Sequence, residues 1–390
     1  MKKYDYDLII VGAGIVGLCL AAALDQTDLK ILLLDKNPFI DFNLKNNYDL
    51  RVSAINRNSE TLFNRMGIWQ DIKTHRASSF RHMIVWDKHA NLQFNAEDIA
   101  YFHLGHIVEH QVLKYSLLQK LKLAKQIHLK EAITIETVNI TDSQVHVQTP
   151  HHSFKTKLLI GADGSHSWLR DHLGFKLDEN SYQHNALICT VNTEKTHKNT
   201  AYQCFTDGTI LAFLPLKDKQ TCSIVWSAPT EKIQALLALD ETAFNQKLAK
   251  NLDFKLGKVN LISPRVEFPL AQRHVNSYIQ TRTALIGDAA HTIHPLAGLG
   301  LNLGLADVAC LAEILKKTNA AQRDIGLQPY LRQYQRQRYP ENQLFINSIG
   351  KLKHLFSSKT WPIELMRQFA LLATNQIQPL KQAFIHAAQM

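Results

Sequence analysis

The sequence predicts an α/β fold: a Rossmann-like nucleotide domain, interrupted by a mixed or antiparallel β-sheet and followed by C-terminal helices. Three observations predict it. The first 35 residues read as strand, glycine loop, helix and strand, with Gly12, Gly14 and Gly17 in the loop and Asp35 at the second strand's end. Two further motifs follow in fixed order, Gly161-Ala162-Asp163-Gly164 and Gly287-Asp288-Ala289-Ala290-His291, each after an apolar run. Between them, over 186–226, the pattern changes to short alternating runs broken by Asp207-Gly208 and Pro215, the mark of antiparallel strands.

The elements follow in order. Residues 6–11 are apolar enough for a buried strand, 15–24 for the helix after it, and 30–34 for the next strand. Apolar spacing predicts a helix over 111–123. A strand over 157–160 leads into the second motif, a strand over 283–286 leads into the third, and a long helix covers 299–315. The chain therefore leaves the nucleotide domain, builds a sheet and returns. At 390 residues two domains are expected: a discontinuous nucleotide domain of 1–75, 102–180 and 271–338, a substrate domain of 76–101 and 181–270, and a C-terminal helical region over 339–390.

Composition bounds the function. Hydrophobic residues are 45% and charged residues 20%, ordinary for a globular chain with a sizeable core. The net charge of +10 is compatible with nucleic acid, an anionic membrane surface or anionic cofactors. The positives are scattered rather than clustered, so no nucleic-acid partner is expected. Five separated cysteines without a CxxC pair point to buried thiols in a reducing compartment. The apolar run 8–24 could pass for a signal peptide, but Asp5 and Asp7 stand in its leader and its glycines have phosphate-loop spacing. The expectation is a cytoplasmic chain with peripheral contact to the inner membrane. Leu365, Phe369 and Leu372 recur at helical spacing near Lys351, Lys353, Lys359, Arg367 and Lys381, so the region after Tyr339 is expected to serve a membrane or partner surface. Packing of that stripe on the protein's own core is the alternative.

The motifs carry specific chemistry. Gly12 permits the turn, Gly14 lets backbone approach a pyrophosphate, and Gly17 lets helix and strand pack. The helix N-terminus then offers N–H groups to the phosphates, and Asp35 accepts from ribose hydroxyls. This motif alone does not separate NAD from FAD. The later motifs favour FAD: Asp163 and Gly164 at the pyrophosphate, Asp288 accepting from the ribityl chain. Pro295, Gly298, Leu299 and Gly300 open a helix whose backbone donors face the reduced flavin, with Asn302 in its first turn. His291 and His294 invite a metal reading, which scarce carboxylates and Pro295 disfavour; no metal is expected.

On these motifs, and on Leu50-Arg51-Val52-Ser53-Ala54, Leu104-Gly105-His106-Ile107-Val108-Glu109, 161–170, 211–216, 223–227 and 287–304, the chain resembles the class A flavoprotein aromatic hydroxylases. Within them it looks most like the ubiquinone-biosynthesis group of UbiH, UbiF and UbiI, and in 86–88, 165–170, 182–184 and 222–227 most like the UbiI type. The resemblance implies an aromatic-hydroxylase-like fold and an FAD reduced by NAD(P)H or another donor. It further implies O2 carried as a flavin C4a-hydroperoxide and a polyprenylphenol substrate, in the company of other ubiquinone-biosynthesis proteins. It also implies that Arg51 holds FAD or an approaching pyridine nucleotide. The family's usual Gln is Leu299 here and its usual Asn is His110, a residue expected near the ribityl chain. Phe213, Leu214 and Pro295 are candidate pocket residues, with plain core the competing reading for the first two. A halogenase or isoprenoid-chain reductase on this scaffold, and a non-catalytic flavin-binding subunit, stay open as alternatives.

Overall fold

A computed structural model describes residues 4–39, 47–87, 91–206, 208–293 and 300–357, with backbone alone at 181, 182 and 349–357. Five strands lie side by side and parallel: Ile127–Lys130, Ile31–Leu34, Tyr6–Val11, Ser153–Gly161 and Thr283–Leu285. Their side chains alternate between two buried faces. Leu8, Ile10, Ile31, Leu33, Leu158 and Ile160 pack under helices Ile15–Ala23, His110–Lys122 and Gly300–Ala320. Ile9, Leu32, Leu34 and Leu159 pack on the other side with Val138, Val145 and Val147 of the hairpin Thr137–Ile140 and Val145–Gln148. A strand covered on both faces reads as an unbroken apolar run, which is why four of these strands are legible in the sequence, while the edge strand Ile127–Lys130, half polar, is not. Ser153–Gly161 starts four residues earlier than expected. Its first half pairs with the polar-alternating Val145–Gln148 and so lacks the continuous apolar signal.

The second sheet centres on the long strand Leu177–Thr193, flanked by Thr221–Pro229 and Val266–Val275. Thr209–Pro215, Thr200–Thr206, His82–Trp86 and Asn91–Asn95 extend it outward. All these pairings are antiparallel except Thr200–Thr206 with His82–Trp86. One face carries Leu187, Cys189, Leu211, Phe213, Ile224 and Trp226 beneath helices Thr230–Ala238 and Glu241–Asn251. The opposite face, with Ala212, Leu214 and Val225, meets a small sheet of Val52–Ile55, Gly105–Glu109 and Ala77–Phe80. Phe213 is thus fully buried on the face away from the nucleotide domain and is not a pocket residue. Period-two alternation sends it opposite to Leu214.

One expected boundary moves. Helix Gln328–Ser357 runs through the 338/339 border with Pro340 inside it. Proline removes only one ladder bond there, and Arg338 and Asn342, on either side, are buried together against Asp307. Further along the helix, Ile346 is buried in a small separate cluster with Ile293 and Leu303. Leu365, Phe369, Leu372, Lys359, Arg367 and Lys381 lie outside the described residues, as do the side chains of Lys351 and Lys353. All five cysteines are free and four are buried. Among the described residues no helix is long and apolar enough to cross a membrane.

Candidate active site

The first two motifs meet backbone to backbone. Gly12 has φ +106°, and a Cβ there would lie 2.3 Å from the Ala162 carbonyl oxygen. A Cβ on Gly17 would lie 2.0 Å from the Gly12 oxygen. Gly14 differs: its φ is −68° and a Cβ would meet nothing within 4 Å. It caps helix Ile15–Ala23, which has no side-chain cap and no acid in its first turn. The helix therefore presents unpaired N–H groups and the positive end of its dipole to open space, a cradle suited to a pyrophosphate. Gly164, at φ +87°, also has open space around it.

The acids of these motifs are partly engaged by the protein. Asp35 accepts from Ala13 N–H at 2.6 Å and Asn37 N–H at 2.7 Å, so its carboxylate stands at the phosphate loop. Each oxygen retains a lone pair for a ribose hydroxyl. Asp163 accepts from Ser167 Oγ at 2.5 Å and from Leu169 N–H at 3.1 Å, while Ser167 caps Trp168–His172 through Arg170 N–H. Its side chain secures this turn, and the backbone beside it is what abuts Gly12.

Pairing of Val52 with Glu109 brings Arg51 beside His110, whose N–H donates to the Arg51 carbonyl at 2.9 Å. The His110 imidazole shares a 2.7 Å hydrogen bond with Ser53 Oγ. Burial, helped by Arg51 and Lys114, pushes its pKa down to about 3, so the ring is neutral. Asp288 stands in the single turn Gly287–Ala289 and remains open to water. Protein crowds it on enough sides to raise its carboxyl pKa, against the pull of His291, Arg51 and Arg273. Arg51 and Asp288, 237 positions apart in the sequence, are thus brought within electrostatic reach of each other.

The helix after the third motif is held differently from expectation. The buried Asn302 side chain accepts from Asn56 N–H at 3.1 Å and Ser59 Oγ at 2.8 Å, and donates to the Ala54 carbonyl at 2.7 Å. It ties the start of Gly300–Ala320 to the turn after Val52–Ile55, which leaves its backbone, not its side chain, for any ligand. Gly300 begins the helix; Pro295, Gly298, Leu299 and His294 lie outside the described residues.

Two features escaped the sequence reading. Asp307, fully buried, contacts His291 Nε2 at 2.5 Å, Arg338 Nε at 2.9 Å, Asn342 Nδ2 at 3.1 Å and Gly287 N–H at 3.1 Å. It sits directly behind the third motif, and its pKa falls to about 2 because these partners outweigh desolvation, the largest opposing influence. An acid inside the apolar stripe of helix Gly300–Ala320 was the available signal. The second feature is Glu109, buried, which accepts from Asp49 N–H at 2.6 Å and pairs with Arg76 at 3.0 Å. Burial raises its pKa to about 7 against the hydrogen bond from Asp49 and the charge of Arg76. Asp49 also accepts from Arg51 N–H and Gln111 N–H, so polar contacts run from Arg51 to Arg76. Arg76, Tyr48 and Lys217 line one side of a cavity of about 450 Å³, with Thr190, Asn192 and Thr221 of the large sheet on the other.

Comparison with known proteins agrees with this geometry. The FAD binding domain family matches residues 5–347. The human mitochondrial ubiquinone biosynthesis monooxygenase COQ6 is 33% identical over 97% of this chain and 91% of its own length. The 3-demethoxyubiquinol 3-hydroxylase of Escherichia coli is 30% identical over 98% of both. The same fold appears in the p-nitrophenol 4-monooxygenase PnpA of Pseudomonas putida, with TM-score 0.79 and 15% identity over 98% of both chains. It appears again in Klebsiella pneumoniae HpxO, solved with FAD and uric acid, with TM-score 0.76 and 20% identity over 98% and 97%. A glycine cradle, an acid within electrostatic reach of Arg51 and a family match over most of the chain coincide, and the chain belongs to the FAD-binding monooxygenases, among relatives that act in ubiquinone biosynthesis.

Proposed function

We propose that this monooxygenase hydroxylates the aromatic ring of a polyprenylphenol on the route to ubiquinone, as a UbiI-type enzyme. The observation that carries the reading is the near full-length match to hydroxylases whose names place them on that route. When bound, FAD supplies the redox chemistry that activates O2, with NAD(P)H or another reductant as donor. The chain's own residues bind and orient it. The N–H groups after Gly14 take the pyrophosphate, Asp35 the ribose hydroxyls and Asp288 the ribityl hydroxyls. The segment of Pro295, Gly298, Leu299 and Gly300 would supply backbone donors to the pyrimidine side, and Arg51 would hold the cofactor or an approaching nicotinamide. His110, neutral, adds one hydrogen bond near the ribityl chain.

A phenol suits this chemistry because its oxygen pushes electron density to the ortho and para carbons. Residues 76–101 and 181–270 are read as the substrate-binding part, and the prenyl tail is the reason to expect peripheral membrane contact and partner enzymes of the same route. The test supplies FAD-loaded protein with a short-tailed polyprenylphenol, a reductant and ¹⁸O2. One labelled oxygen on an aromatic carbon is expected, and a strain lacking the protein should be short of ubiquinone and accumulate the unhydroxylated phenol. Reductant oxidation that yields only peroxide, with normal ubiquinone in the deletion strain, would overturn the assignment.

A further inference from the structure

We infer that Glu60, His103 and His106 form a binding site for one divalent transition-metal ion of the zinc class, on the flank of the small sheet. One donor atom from each lies within 4.8 Å of the others. His103 Nε2 is 3.6 Å and His106 Nδ1 is 3.7 Å from the same carboxylate oxygen, Glu60 Oε2. Those separations are too long for good hydrogen bonds. They are close to the roughly 3.3 Å edge of a tetrahedron with metal–ligand bonds of about 2.0 Å. His106 is 6% exposed, and its Nδ1 is buried with no hydrogen-bond partner. Buried polar nitrogens are normally satisfied, so an orphan aimed at two other donors calls for a ligand.

The donors come from two segments, a helix and a loop running into a strand. Glu60 is in the first turn of helix Arg57–Arg65, His103 is in the loop before Gly105–Glu109, and His106 is within that strand. The His106 ring is fixed edge-on between Trp69, 4.9 Å away, and His103, 4.4 Å away. Glu60 and His103 keep 19% and 23% of their side chains exposed, which gives an ion a way in. Two imidazoles and one carboxylate favour zinc-class ions over calcium or magnesium, which prefer sets of oxygens. Arg57 and Lys73 are the cations nearby, so water or an anion completes the coordination. Helix Arg57–Arg65 is capped by Asn56, whose N–H is held by Asn302. A bound ion would therefore brace the helix on which the flavin-side clamp rests.

The test uses tag-free holoenzyme stripped with a chelator and titrated calorimetrically with ZnCl2, with the bound metal counted by elemental analysis. One zinc per chain and a raised melting temperature are expected. Co²⁺ should produce visible bands beyond the flavin spectrum, as a four-coordinate site does. Loss of one ligand should weaken zinc binding by about tenfold or more, since even partners outside the ligand set matter by 10–100-fold. His103→Gln, on a partly exposed loop, and Glu60→Gln are the informative variants because both should retain FAD content; His106→Ala opens a hole beside Trp69 and tests less. No stoichiometric zinc in the wild-type holoenzyme, or unchanged zinc affinity in FAD-replete His103→Gln, would overturn the site.

Discussion

Where Gly12, Gly17 and Ala162 meet, backbone presses on backbone and no side chain fits. Around Asp307, directly behind the third motif, a carboxylate is instead enclosed by side chains from two distant segments, His291 and the pair Arg338 and Asn342. Both centres secure the motifs. The first is a steric constraint, which fails when an atom is added. The second is an electrostatic one, which fails when a partner is removed and a charge is left unpaired in the core. The difference teaches where each kind of substitution should hurt.

The largest expected effect is Gly12→Val. It adds three carbons at a position with φ +106° and no space, a conformation that β-branched residues rarely adopt. Little folded, yellow protein should be recovered; normal yield with full FAD absorbance would break the steric account. Asp307→Ala comes next. Removing the acid takes from the buried Arg338 its one buried carboxylate, leaving Asn342 and the exposed Glu341 as partners, and should cost about 3 kcal/mol in denaturant unfolding. A loss below about 1 kcal/mol would show that the Asp307 cluster is incidental.

Gly14→Ala sharpens the contrast within a single motif. The protein leaves room for that methyl group, so the apo-protein should melt as wild type does. The added carbon would occupy the cofactor's approach, and FAD affinity should drop about tenfold or more, equivalent to about 1.4 kcal/mol. Lower apo stability with unchanged affinity would reverse this reading of the loop.

The smallest effect is the pH dependence. His110 and His274 are held down to about 3 and about 4, chiefly by burial. Below the ordinary histidine value of 6.5 the unfolded chain takes up protons that the folded one refuses, so stability is lost as pH falls. Glu109 acts the other way. Its folded pKa of about 7 exceeds the ordinary glutamate value of 4.5, so the stability it contributes at low pH is lost as pH rises through that window. With His103, His106 and His197 also held down by burial, the histidines outweigh the raised carboxyls of Glu109 and Asp288 and leave a net decline from pH 6.5 toward 4.5, visible as falling urea midpoints. Glu109→Gln removes one opposing group and should steepen the decline; an unchanged slope would show that Glu109 titrates normally.

The sequence by itself determined four of the five parallel strands, all but Ile127–Lys130, with the phosphate loop and the order of the three motifs. Each of these is local: strands covered on both faces read as apolar runs, and a glycine needed for a close approach is visible at its own position. In the large sheet it showed antiparallel strands, but the sequence reading put Phe213 and Leu214 in one pocket although alternation with a period of two sends them to opposite faces. Which face looks toward the nucleotide domain was decided only by the tertiary structure. Both faces are buried, so Phe213 and Leu214 carry the same signal and point opposite ways. The roles of Asn302, Asp163 and Asp307 belong with that second group, and so does the continuation of Gln328–Ser357 through Pro340. A hydrogen-bonding side chain declares its chemistry in the sequence. Its partner is chosen by chain closure over long separations, such as the 246 residues between Asn56 and Asn302, and no local pattern encodes that distance.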